Sequence, residues 1–186
     1  MYMIRKLFMK REFNRKKLWL YFILNIVALA LLILNSFIKV PPGFWGTSLL
    51  IFFLLLLGLC LFLLAEFVIL IPKTKESLPS IFIGSALVIF LMIITYADIY
   101  LQIYHLKGGQ TFSGTYLTGE DFLYYSITTF TTTGYGDVSS SHIVSNAVAS
   151  LEMITGFMSN TLLMGILTAR LLNKGITVKG DDRSKE

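Results

Sequence analysis

Apolar residues fill four long windows of the chain, and polar residues collect between them and at both ends. The windows run from Leu18 to Ile38, Phe44 to Ile71, Ile81 to Tyr104 and Ile143 to Leu172. Each reaches the roughly 20 residues a helix needs to cross a hydrocarbon layer about 30 Å thick. The second contains "SLLIFFLLLLGLCLFLLA", Ser48 to Ala65, a length of unbroken apolar sequence that a bilayer requires and a soluble core rarely does. The pattern predicts four transmembrane helices. A fifth stretch, "EDFLYYSITTFTTT" from Glu120, is half apolar and predicts a helix of about a dozen residues, too short to span.

Composition agrees, with 55% hydrophobic and 15% charged residues. The single cysteine, Cys60, lies in the second window and reads as a small buried apolar residue, with no disulfide or thiolate metal site available to it. The basic run "MIRKLFMKREFNRKK" before the first window resembles the start of a signal peptide. The window is too long for that, and no small-residue cleavage site follows, so a retained helix is expected. Of the 16 Lys and Arg residues, all but Lys39 and Lys107 fall on one side of the four spans. That bias predicts cytoplasmic termini, and it accounts for the net charge of +5 without a nucleic-acid partner; the plasma membrane is the expected location. "VPPG" (Val40 to Gly43) and "PKTKESLP" (Pro72 to Pro79) predict tight turns between spans.

The connection from His105 to His142 is the longest of the three. Its first part, "HLKGGQTFSGTYLTG", reads as a glycine-rich surface loop; its second is the short helix, with Glu120 and Asp121 at the positive end. A short helix that enters the membrane must leave on the same side, and irregular backbone at that depth survives only when buried in protein or lining water. The segment that follows is "TTTGYGD". Gly134 and Gly136 permit φ > 0, which lets successive carbonyls point one way, and Thr132 adds a hydroxyl oxygen. Such a column of oxygens suits a hard monovalent cation stripped of water.

"TTTGYGD" after an aromatic-rich helix resembles the selectivity-filter signature of tetrameric potassium channels. The resemblance covers residues 81–172 and implies the order outer helix, pore helix, filter, inner helix, with four chains around one pore. It implies K+ ions held by the backbone carbonyls of Thr132, Thr133, Gly134 and Tyr135, with the Thr132 hydroxyl below them. Gly136 and Asp137 would close the outer mouth, and Tyr124 and Tyr125 would surround the filter and hold its diameter. Two positions depart from the family pattern. Thr133 stands where valine or isoleucine is commoner, and Thr128 where some bacterial channels carry a glutamate bonded to the aspartate behind the filter. A phosphate-binding loop is the rival reading of the glycines, but it needs a preceding strand that this sequence lacks.

The fourth span is rich in polar residues, which a helix facing lipid all round would not carry. Gly156 resembles the family's inner-helix hinge glycine in position, and it also reads as a close-packing glycine; both readings stand. Phe157, Asn160, Met164, Thr168 and Leu172 share one stripe, which the family alignment turns toward the cavity, although Asn160 reads equally as a bond to a neighbouring helix. Gly165 offers a second bend or a packing contact.

Three carboxyl groups fall within spans, where they are costly. Glu66 and Asp98 lie toward span ends and are expected to reach interfacial water. Glu152 is deeper; it is open to protonation, to a bond with the pore helix of its own or the next subunit, or to a role in pH-dependent gating. The first two spans carry no basic residue, so opening is expected to depend weakly on voltage. His105 and His142 read as loop residues, and no catalytic constellation is present.

The sequence therefore predicts an all-α integral membrane protein: four transmembrane helices, one re-entrant pore helix and a filter, forming a homotetrameric pore in the lipid bilayer. Its expected parts are a basic N-terminus (1–17), a helical hairpin (18–79), a pore domain (80–172) and a short polar tail (173–186). Within the pore domain the outer helix is 81–104, the pore helix 120–131, the filter 132–137 and the inner helix 143–172. No soluble ligand-binding domain is expected on this chain. The predicted activity is passive, potassium-selective conduction, with a weakly selective Na+/K+ channel and a non-conducting regulatory subunit as the alternatives.

Overall fold

A computed structural model describes residues 15–38, 43–70, 77–108, 110–114 and 116–182. Most of each predicted turn, 40–42 in "VPPG" and 72–76 in "PKTKESLP", lies outside the described residues, as do 1–14 of the basic N-terminus. The described chain forms five helices: α1 (Arg15–Phe37), α2 (Phe44–Leu70), α3 (Leu78–Lys107), α4 (Gly119–Phe130) and α5 (Ile143–Asp182). Four of them are long and apolar enough to cross a membrane, and α4 is not among these. Among the described residues there is no strand, only one isolated bridge between Phe112 and Ser140. The protein is an all-α integral membrane protein.

The bundle is organised around α3, which packs on α1, α2 and α4 and also touches α5. From Leu91 to Ile103 every residue of α3 is buried. A helix apolar all round is what such a central position requires. Lipid offers no hydrophobic drive for helices to associate, so shape and polar ties between helices matter more. Asn25 on α1 donates to the Leu87 carbonyl of α3 (2.9 Å), and Gln102 on α3 donates to the Gly46 carbonyl of α2 (3.0 Å). Cys60 is buried as expected, its sulfur 3.7 Å from Thr95 Oγ1.

Two expectations about intramembrane acids are overturned. Glu66 does not reach water: it is buried, and Lys17 Nζ lies 2.6 Å from its Oε1. The long stem of a lysine just ahead of the first span carries its ammonium across to α2, which the position of Lys17 outside the apolar run conceals. Asp98 is also buried, and neither carboxyl oxygen has a hydrogen-bond partner among the described residues. It falls on the wholly buried half of α3, so its nearness to the span end gives it no path to the interface.

The connection between α3 and α4 is more than a surface loop. Ser113 N donates to Ser139 O (2.8 Å) and Ser141 N to Thr111 O (3.0 Å), pinning the loop to the segment after "TTTGYGD". Phe112 is buried beneath it against Tyr100, Phe122 and Tyr125, with ring centroids 4.9–5.6 Å apart. His105 belongs to the last turn of α3 and not to the loop, because the helix continues to Lys107. At the other end of the chain, residues 173–182 of the expected polar tail do not break away: α5 runs on to Asp182. A segment too short to fold alone can still extend an existing helix, since propagation avoids the cost of nucleation.

Candidate functional site

The short helix α4 is fixed at its start by sequence-local chemistry. The Thr118 amide and hydroxyl both donate to the Asp121 carboxylate, at 2.7 and 2.9 Å, and Gly119 N donates to Ser36 Oγ of α1 at 3.0 Å. A carboxylate at the third helical position that reaches back to the cap residue satisfies donors the first turn would otherwise leave unpaired.

At its other end α4 runs directly into residues 131–137. The amides of Thr132, Thr133 and Gly134 turn back onto the helix end, donating to Thr129 O (3.0 Å), Thr128 O (2.8 Å) and Thr128 O (3.1 Å). With their amides held there, the carbonyls of these residues are left for other partners. The backbone alternates: Thr132, Gly134 and Gly136 have φ of 58°, 55° and 83°, whereas Thr133 and Tyr135 between them do not have positive φ. Alternation of left- and right-handed residues turns successive peptide groups so that like atoms face one side. Positive φ at the two glycines was expected. At Thr132 it was not, because a β-branched residue there is strained by roughly 1–3 kcal/mol and persists only when its surroundings hold it. Its hydroxyl donates to Thr131 O (2.7 Å), which leaves the oxygen's lone pairs available.

The side chains behind this segment divide in two. Tyr124 stacks on Tyr135, ring centroids 6.4 Å apart and 6° from parallel. Its hydroxyl bonds the Asp137 carboxylate, which lowers the Asp137 pKa and raises that of Tyr124. Thr128 Oγ1 bonds its own helix, at Tyr125 O (3.0 Å). Within the chain Tyr125 packs instead against Tyr100 (4.9 Å) and Phe112 (5.6 Å), because neighbouring helical residues point about 100° apart.

On α5 the structure separates two faces. Ala149, Glu152, Gly156, Ser159, Leu163 and Leu167 are buried, whereas Phe157, Asn160, Met164, Thr168 and Leu172 are exposed together on the single chain. Gly156 lies in the buried seam: a Cβ built there would stand 2.2 Å from the Phe130 carbonyl oxygen at the end of α4. Close approach therefore requires glycine at this position. Glu152, one turn earlier, is buried, with Oε2 2.5 Å from Tyr100 Oη and Oε1 2.5 Å from Ser126 Oγ. Tyr100 and Ser126 carry no motif, and only their shared depth with Glu152 reveals them. Tyr96 Oη lies 3.1 Å from Thr155 Oγ1, a second tie between α3 and α5.

Among the described residues no group of three or more His, Cys, Asp and Glu is arranged to hold a metal ion. Residues 83–173 match the family model Ion_trans_2, described as "Ion channel". Comparison with curated proteins and with solved structures gives no match. The matched span takes in most of α3, all of α4, the segment 131–137 and the buried seam of α5. The protein is thus an integral membrane protein whose residues 83–173 match the ion channel family model.

Proposed function

We propose that the chain forms a homotetrameric, potassium-selective channel whose filter is residues 132–137. The observation that carries this reading is the alternating backbone of Thr132, Gly134 and Gly136, with its amides drawn back onto the end of α4. Four such strands around an axis would offer rings of carbonyls from Thr132, Thr133, Gly134 and Tyr135, with the Thr132 hydroxyl ring below, to replace the water around K+. One strand cannot surround an ion, so the site is incomplete without three further copies. Support also comes from exposure: the segment 131–137 and the stripe Phe157, Asn160, Met164, Thr168 and Leu172 are uncovered on the single chain. In a tetramer both would face the axis, and Asn160 would present a neutral polar side chain to hydrated cations in the cavity. Orientation follows from the basic residues, with the termini cytoplasmic.

The reading is tested by reconstituting the purified protein in liposomes with opposed K+ and Na+ gradients and following flux with and without barium. Barium-sensitive K+ flux without comparable Na+ flux is expected. Equal fluxes would indicate a weakly selective cation channel, and a correctly assembled tetramer that passes neither ion would indicate a non-conducting subunit; either result overturns the proposal.

A further inference from the structure

Glu152 sits in a row of oxygens that joins three helices. Tyr100 Oη on α3 is 2.5 Å from Glu152 Oε2; Glu152 Oε1 on α5 is 2.5 Å from Ser126 Oγ on α4; and Ser126 Oγ is 2.8 Å from the Ile93 carbonyl oxygen of α3. Three short oxygen–oxygen contacts need three protons. Tyrosine and serine hydroxyls bring one each, and the Ile93 carbonyl brings none. If Glu152 were ionised, Ser126 would have to give its only proton either to Ile93 or to Glu152, leaving two acceptor oxygens pressed together at the other contact. A proton on Glu152 Oε1 satisfies all three: Tyr100 donates to Glu152 Oε2, Glu152 Oε1 donates to Ser126, and Ser126 donates to Ile93.

The surroundings agree with a neutral acid. The titratable groups that face Glu152 are Tyr96 and Tyr100 from α3; Tyr125 of α4 packs on Tyr100, and Cys60 of α2 lies behind Thr95. None is a cation, and the ion pair found among the described residues joins Lys17 to Glu66. An ionised carboxyl buried here would lack the paired charge that burial demands.

The row also has a place in the architecture. Ser126 and Phe130 are one turn apart on α4, and Glu152 and Gly156 are one turn apart on α5, so the two helices meet at two successive levels. Between those levels Thr128 offers the carbonyl that accepts the amides of Thr133 and Gly134. We propose that Glu152 is a positioning residue: as a neutral acid it passes a hydrogen-bond chain from Tyr100 to Ser126 and Ile93, locking α4 between α3 and α5 and thereby setting the backbone of residues 132–134. The effect on selectivity rests on the reading of these residues as a filter; the protonation and the lock do not.

Two measurements on the full-length protein in lipid test this. Infrared spectra at neutral pH are expected to show a carboxylic acid C=O band that shifts in D2O and is missing from Glu152→Gln. An unchanged spectrum in that variant, or loss of a carboxylate band instead, overturns the proposal. In the second, thermal stability of the assembled protein is compared across substitutions. An amide matches a protonated acid, accepting from Tyr100 and donating to Ser126, so Glu152→Gln should stay near the parent while Glu152→Leu melts lower. Gln as damaging as Leu overturns the assignment, whether or not the protein conducts. Where conduction is present, Glu152→Leu should lower the K+/Na+ permeability ratio by about tenfold or more, a loss of roughly 1.4 kcal/mol in positioning, and Glu152→Gln should restore it. A ratio unchanged in Glu152→Leu would overturn the link to the filter while leaving the infrared result to decide the protonation.

Discussion

Gly156 is the residue at which two roles read from the sequence separate. A hinge needs freedom, whereas a methyl group at this position would overlap the Phe130 carbonyl oxygen. Gly156→Ala is therefore expected to destabilise the assembled protein by about 1–3 kcal/mol, the range for overpacking a well-fitted interior, as read by thermal unfolding. An unchanged melting temperature with altered opening would restore the hinge as its main role. Tyr124 carries the second residue-scale test. Its hydroxyl holds the Asp137 carboxyl below the usual range, so the contribution of ionised Asp137 is present above the ordinary carboxylate pKa and fades only as pH falls through the lowered value. Tyr124→Phe removes the donor, and the acid-side loss of K+ flux should then begin at a higher pH than in the parent. Coincident acid limbs in the two pH profiles would show that the contact does not support conduction.

At the scale of elements, the helices were legible because each depends on residues close together in sequence. Unbroken apolar runs gave the long spans, and Glu120 and Asp121 marked the start of α4, where Asp121 bonds Thr118. What the pattern concealed depends on residues far apart: Lys17 reaching Glu66, Phe112 inserted under its loop, and Tyr125 turned away from Tyr135 toward Tyr100. The segment 132–136 divides in the same way. Its glycines announced positive φ, whereas the same geometry at Thr132 comes from the helix end that holds it and has no sequence signal. The Lys17–Glu66 tie between α1 and α2 gives an element-scale expectation. Lys17→Met should cost about 1.5–3 kcal/mol, the usual worth of a hydrogen bond to a charged group, and Glu66→Gln in the same background should recover part of it. Additive losses in that double-mutant cycle would mean the pair is not coupled.

For the whole molecule, α1 and α2 each pack on α3, α5 touches both α2 and α3, and beyond Lys17 the first two spans carry no basic residue. A sensor that moved with membrane potential would need charges within the field, each contributing about 2.3 kcal/mol per 100 mV. Opening should therefore show a shallow voltage dependence, and a limiting slope worth several elementary charges would refute this. The face of α5 that carries Phe157, Asn160, Met164, Thr168 and Leu172 is uncovered on the single chain, as is the segment from Thr131 to Asp137, and the proposed tetramer turns both toward one axis. The most direct measurement is the reversal potential of the reconstituted protein with K+ on one side of the bilayer and Na+ on the other. A large potential, of the sign set by K+ leaving its own side, is expected; a value near zero in a conducting tetramer would contradict potassium selectivity at residues 132–137.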